Sequence, residues 1–179
     1  NQDESLNAWD IGANYRFTSE LSAFVNYNKS FQAPDINRFF GFDASFNTVF
    51  NGFIDPAKVK TLNVGINHVV ANNRLKVTAF HADIDDEIYL DPTLGFFGTN
   101  SNLDKTHKYG VEVQDYFKFN DQLNASLIYN YTRSIIDKEN ALGGLVIKNK
   151  DLPGAPKHSV IANLNYKFLS HASLNLNHT

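Results

Sequence analysis

Between residues 123 and 133 apolar and polar side chains alternate. Leu123, Ala125, Leu127, Tyr129 and Tyr131 share one parity, and Asn124, Ser126, Asn130 and Thr132 share the other. A period of two marks an extended strand whose two faces meet different surroundings. The unit recurs, predicting eight strands: 6–17, 21–30, 61–70, one rising from 75 and losing its alternation near Asp85 and Asp86, 108–119, 123–133, 160–168 and 172–179. Short polar turns at Thr18-Ser19-Glu20, Asn72-Asn73 and Asn120-Asp121-Gln122 alternate with long connections at 31–58, 87–106 and 134–157.

Strands of about ten residues, tilted near 45°, cross a bilayer core. Bacterial barrels keep their short turns on the periplasmic side and their long loops outside. Oriented by that rule, Tyr15, Phe17, Phe117, Phe119, Tyr166 and Phe168 fall at the inner interface, and Trp9, Tyr27, Tyr129 and Tyr131 at the outer one. Two belts of amphipathic rings are what a headgroup boundary selects. The fold class expected is therefore all-β: an antiparallel up-and-down transmembrane β-barrel segment in contact with outer-membrane lipid. A soluble sandwich, with the aromatic residues as its core, is the rival pattern. It seldom places long loops along one edge only.

Composition narrows this reading. The 179 residues have a mean hydropathy of −0.33 and no apolar run near the roughly 20 residues of a transmembrane helix, which leaves a barrel untouched. No cysteine is present, so disulfides and thiolate metal sites are excluded. The net charge of −3, without a basic cluster, argues against a nucleic-acid partner. The start, Asn1-Gln2-Asp3-Glu4, is acidic and carries no secretion signal. A signal removed, or a beginning inside a longer polypeptide, is expected.

Several segments carry a family likeness. Ser30-Phe31-Gln32-Ala33-Pro34-Asp35 resembles the Phe-Arg-Ala-Pro box of TonB-dependent outer-membrane receptors. Asp55-Pro56-Ala57-Lys58 through Gly65 is similar to their Pro-Glu-x-x-x-x-Tyr-Glu-x-Gly strand start, and Asn72 to Ile88 resembles the hairpin that follows. Tyr109-Gly110-Val111-Glu112 matches a Gly-Val-Glu strand start, and Leu152-Pro153-Gly154-Ala155-Pro156-Lys157-His158 resembles a Pro-x-x-Pro-x-His segment. Gln32 replaces the usual Arg, and Ala57 and Leu62 replace the usual Glu and Tyr. The resemblance implies that residues 1–179 are about eight strands of a barrel of roughly 22, with plug domain, TonB box and C-terminal strands expected outside this chain. It also implies uptake of a ferric siderophore, or of cobalamin or another nutrient, with energy from the TonB complex acting through the plug. A small autonomous pore or adhesin is the alternative.

The first long connection holds Arg38, Phe39, Phe40, Phe42, Phe46, Phe50 and Phe53. Flat apolar rings stack on catecholate or macrocyclic ligands, and a guanidinium supplies charge for an anionic complex. Arg38, Phe39, Phe40, Phe42 and Phe46, with Tyr89 and Phe97 from the second connection, are the ligand-binding residues expected; Leu90 and Phe96 lie beside them. Asp83, Asp85, Asp86 and Glu87 lack an Asp-x-Asp-x-Asp-Gly pattern and read as a solvated rim rather than a Ca²⁺ loop. His68 and His81 fall on the lipid-facing parity, whereas His107 and His158 stand near strand starts. Haem receptors of this family usually carry a His after the Phe-Arg-Ala-Pro box, and residues 31–67 hold none. No metal ligand, cofactor or catalytic residue is expected, since nothing resembles a nucleophile elbow or an oriented base.

Overall fold

The computed structural model describes residues 6–92, 95, 97–138, 148–154, 156–169 and 171–179. Its strands are β1 (Trp9–Arg16), β2 (Leu21–Gln32), β3 (Phe40–Phe42), β4 (Thr48–Phe50), β5 (Ala57–Val70), β6 (Asn73–Asp91), β7 (Thr99–Lys118), β8 (Leu123–Lys138), β9 (His158–Leu169) and β10 (Ala172–His178). Eight of them form one antiparallel meander in the order β1-β2-β5-β6-β7-β8-β9-β10, and β3 and β4 form a separate hairpin inside the first long connection.

The register turns the sequence alternation into two distinct faces. Ala13, Val25, Val64, Ala79, Val111 and Tyr131 lie in one cross-strand row, and Tyr15, Ala23, Ile66, Val77, Val113, Tyr129 and Val160 in the next. Val64 is 49% exposed and Ile66 44%, as a continuous apolar surface without protein packed on it must be. A patch of that extent marks contact with lipid or a partner. Opposite it run Gly12, Asn26, Asn63, Phe80, Gly110 and Thr132, then Asn14, Phe24, Gly65, Thr78, Glu112 and Asn130. The abundant Asn side chains bond across this polar face: Asn26 Nδ2 donates to Asp10 Oδ2 (2.8 Å), Asn163 Nδ2 to Ser126 Oγ (3.0 Å) and Asn165 Nδ2 to Asn175 Oδ1 (2.6 Å).

Two phenylalanines sit on the polar parity, and each stands directly opposite a glycine. Phe24 pairs with Gly65 and Phe80 with Gly110. A Cβ at Gly65 would lie 2.6 Å from the Phe24 ring, and one at Gly110 would lie 2.8 Å from Phe80 and 1.9 Å from the Tyr131 carbonyl. The glycines therefore let the rings lie down on the wall. Lys76 Nζ sits 5.3 Å from the centre of the Phe24 ring, over its electron-rich face.

Asp115 interrupts the apolar face between Leu75 and Leu127. Its carboxylate accepts a 2.6 Å bond from Asn73 Nδ2, so the charge has a polar neighbour on the same face.

The long-loop ends differ most from the sequence expectation. The connection placed at 87–106 is mostly strand, because β6 runs on to Asp91 and β7 begins at Thr99; β8 likewise continues past Ser134 to Lys138. At 19, 20 and 16 residues these strands far exceed the length a bilayer needs. Past the length a bilayer needs, neither face must meet lipid and loop residues pack on the strands instead, so the alternation that reveals a strand disappears. Asp86 adds a local cause, with φ at 60°. Pairing continues on both sides of it, Asp85 with Lys105 and Glu87 with Leu103. Yet the Glu87 carboxylate bonds Thr106 Oγ1 and Lys108 Nζ (2.5 Å for the latter), which lie on the polar parity. One left-handed residue has exchanged the faces. Buried side chains gather at this end: Ile54, Ala57, Ala82, Ile84, Leu103 and Ile136, with Thr106 and Ser134 among them.

Candidate ligand-binding loop

Between β2 and β5 the chain is more ordered than its expected loop. Arg38 N donates to Asp35 O (2.9 Å) in a single 3-10 turn over Ile36–Phe39, and β3 and β4 then pair Phe40 with Phe50 and Phe42 with Thr48. The hairpin tip is organised by Asp43. Its Oδ1 accepts the backbone N–H groups of Ser45 (2.8 Å) and Asn47 (2.9 Å), and its Oδ2 accepts Asn47 Nδ2 (3.1 Å). The Asn47 N–H above all, then the Asn47 side chain, hold this carboxyl below its ordinary pKa. The same Asx-type turn holds Phe46 at φ 61°, a conformation costly for a bulky residue. The bend sets the Phe46 ring out at 72% exposure.

The aromatic residues form a chain of edge-to-face contacts. Phe39 meets Phe53 at 5.6 Å between centroids, Phe53 meets Phe50 at 5.3 Å, and Phe50 meets Phe40 at 5.7 Å. Each geometry suits the ring quadrupoles. Phe46 at the tip touches Phe97, in the β6–β7 connection, at 5.1 Å. Phe42 ends β3 and is exposed. Arg38 is half-buried and makes no ion pair among the described residues. Tyr89 stands on β6 opposite Ser101, not in a loop as expected, and Phe96 lies outside the described residues. The structure thus joins Phe39, Phe40, Phe46 and Phe97 to rings. It adds Phe50 and Phe53 as the joints of the cluster, which their place in the Phe-rich run signalled without ranking them.

The base of this loop is fastened by a residue that no sequence pattern marks. Asn102 on β7 accepts the Asp55 N–H through Oδ1 (2.9 Å), and its Nδ2 donates to the Asp55 carbonyl (2.9 Å) and the Asp86 carbonyl (2.8 Å).

The other polar groups are occupied elsewhere. Asp83 faces His81 at 3.7 Å, Asp85 faces Lys60 at 4.0 Å, and Glu87 binds Lys108. His107 stacks on His81 and bonds Asp137 (2.8 Å), whereas His158 lies against Tyr129 and Tyr131. Among the described residues no group of three or more His, Cys, Asp or Glu side chains is arranged to hold a metal ion. What the arrangement offers is an aromatic surface with Arg38 next to Phe39 in the chain, a composition suited to a flat anionic ligand.

Comparison with known proteins agrees with this architecture. Residues 1–179 match the family model for the TonB dependent receptor-like β-barrel. An uncharacterized TonB-dependent receptor of Haemophilus influenzae is 26% identical over 160 residues, 88% of this chain and 42% of that protein. The catecholate siderophore receptor Fiu of Escherichia coli K12 is 30% identical over 112 residues, 61% of this chain and 14% of that protein. The chain thus spans less than half the length of these relatives. Among solved structures, the siderophore receptor PirA of Pseudomonas aeruginosa superimposes with a TM-score of 0.68 at 15% identity, covering 95% of this chain and 29% of that one. The ferric yersiniabactin receptor FyuA of Yersinia pestis gives 0.65 at 16%, covering 94% and 24%. At such identities the structural likeness speaks for the fold.

Proposed function

The chain belongs to the TonB-dependent receptor-like β-barrel family, and from that premise we propose that the full-length protein is an outer-membrane receptor that takes up a ferric siderophore with energy supplied through TonB. Family members are transport receptors of the bacterial outer membrane. In this reading the apolar face meets lipid, the polar face lines the lumen, and the long-loop end faces outside. A catecholate ligand is favoured, since relatives at 27–31% identity are catecholate siderophore receptors. The observation that carries the reading is the four-ring cluster Phe39, Phe53, Phe50 and Phe40, with Arg38 next to Phe39 in the same 3-10 turn and in no ion pair among the described residues. Ferric catecholates are flat-sided and anionic, so rings supply stacking area and the guanidinium supplies charge.

The test is the triple substitution Arg38→Ala, Phe39→Ala and Phe40→Ala in the full-length receptor. Binding of a ferric tris-catecholate complex, followed by quenching of intrinsic fluorescence, is expected to weaken roughly tenfold to a hundredfold. An affinity unchanged by all three substitutions refutes the assignment.

A further inference from the structure

We propose that Asn102 is a positioning residue for ligand capture: its side-chain amide takes the place of a strand partner and latches the base of the Phe-rich loop to the β6–β7 hairpin. The inference rests on the uptake reading above for what is captured, but the latch itself stands on geometry.

A carboxamide carries the same donor and acceptor as a peptide group. Asn102 uses both on one residue, accepting the Asp55 N–H and donating to the Asp55 carbonyl, each at 2.9 Å. That reciprocal exchange is how two residues pair in an antiparallel ladder, made here by a side chain. Its second N–H reaches the carbonyl of Asp86 at 2.8 Å, the residue whose φ of 60° marks the exchange of faces in β6. One amide therefore ties β7, the bend in β6 and the end of the loop together. Asp at this position would lose both donated bonds, and Leu, of similar size, would lose all three.

The latch stands at the margin of a buried patch, its two bonds to Asp55 exposed and its bond to Asp86 part-buried. Ile54 and Ala57, on either side of Asp55 and Pro56, are 7% and 2% exposed, and Leu103, next to Asn102, is 2% exposed. At the far end of the loop, Phe46 touches Phe97 of the same hairpin at 5.1 Å. The loop is held at its base and at its tip by one partner, so the two excursions present their rings as one body. Asn102 bonds none of the rings. It acts through Asp55 on Phe53, two residues earlier, which joins Phe39 to Phe50. Gly52 at φ 114° is the backbone joint on the other side of Phe53, so the Asp55 anchor sets one of the two backbone approaches to that ring.

The experiment compares wild-type, Asn102→Leu, Phe53→Ala and the double variant of the full-length receptor in lipid nanodiscs. Two readouts are used: amide hydrogen exchange at Asp55 without ligand, and affinity for a ferric tris-catecholate complex. Asn102→Leu is expected to speed Asp55 exchange and to weaken binding, each about tenfold, while the unfolding midpoint of the barrel stays put. Because Asn102 works through Phe53, the Phe53→Ala loss should largely vanish in the Asn102→Leu background. Unchanged Asp55 exchange overturns the latch. Faster exchange with unchanged affinity, or losses that add in full, overturns the positioning role. A wild-type receptor that ignores the ferric catecholate, yet loses Asp55 protection in Asn102→Leu, retires the uptake reading and leaves the latch standing.

Discussion

Arginine placed along β5 should report the depth of each outward residue in a bilayer. Leu62, Val64 and Ile66 share the apolar face, and β5 ends at Val70 just before a short turn. Counting about ten residues inward from that turn sets Val64 and Ile66 near the membrane midplane. Val64 is flanked by Val25 and Ala79, so a guanidinium there has no carboxylate directly across either neighbouring strand. Its cost should be about 2–4 kcal/mol, or roughly 30- to 800-fold in the folding equilibrium. Leu127 is a poorer probe because Asp115 stands opposite it and would pair with the new cation. Arginine at Asn63, on the polar face beside Asn26 and Phe80, should cost little. The full-length receptor would be refolded into phosphatidylcholine vesicles and unfolded with guanidinium chloride. The costs should peak at the centre of β5, fall below about 1 kcal/mol at its ends, and shrink in shorter-chain lipids. Equal costs on the two faces, or a profile indifferent to bilayer thickness, would refute the reading of this face as lipid-exposed.

Three further outcomes follow from local geometry. Gly110→Val forces a Cβ to within 1.9 Å of the Tyr131 carbonyl and should destabilise by about 1–3 kcal/mol or more, whereas Gly12→Ala, whose nearest neighbours stand at 3.3 Å, should cost under about 1 kcal/mol; denaturant midpoints measure both. Asn73→Ala removes the donor to Asp115 and should cost about 1.5–3 kcal/mol, and adding Asp115→Leu should recover most of it, as a double-mutant cycle reports. Bonds from Asn47 and Ser45 favour the ionised Asp43 and lower its pKa in the folded loop, so the turn's contribution is present above the ordinary carboxylate value and is lost as pH falls through the lowered folded value. Emission of a Phe46→Trp receptor should then change only as pH falls below the ordinary carboxylate value, and Asp43→Ala should show the low-pH signal at pH 7; a flat titration would sink the role given to Asp43.

The membrane-spanning half of the fold was legible because lipid and water impose opposite demands on successive residues. Leu123 to Tyr131 could be assigned to faces on that basis alone, and Asp115 stood out as the exception its neighbour Asn73 accommodates. Above the membrane that demand ends, so the continuation of β6 to Asp91 and of β8 to Lys138 carried no alternation to read, and Tyr89 was placed in a loop. Phe24 and Phe80 looked misplaced on the polar parity until the register set each against a glycine. In the candidate site the Phe-rich run was evident, but which rings meet depends on a hairpin whose turn is built by Asp43 and Asn47. Asn102 had no signal at all, since a lone Asn on a strand reveals nothing of a backbone 47 residues away in the chain.

The rings laid on Gly65 and Gly110 also set how far the polar face stands out from the wall. A phenylalanine standing upright would project across the passage like a tooth; flattened, it offers a smooth tile. Lys76 is held on the same ring, its ammonium 5.3 Å from the Phe24 centroid. On the reading that this face lines a lumen, a wall bearing two bulky aromatics keeps the clearance that upright rings would take away.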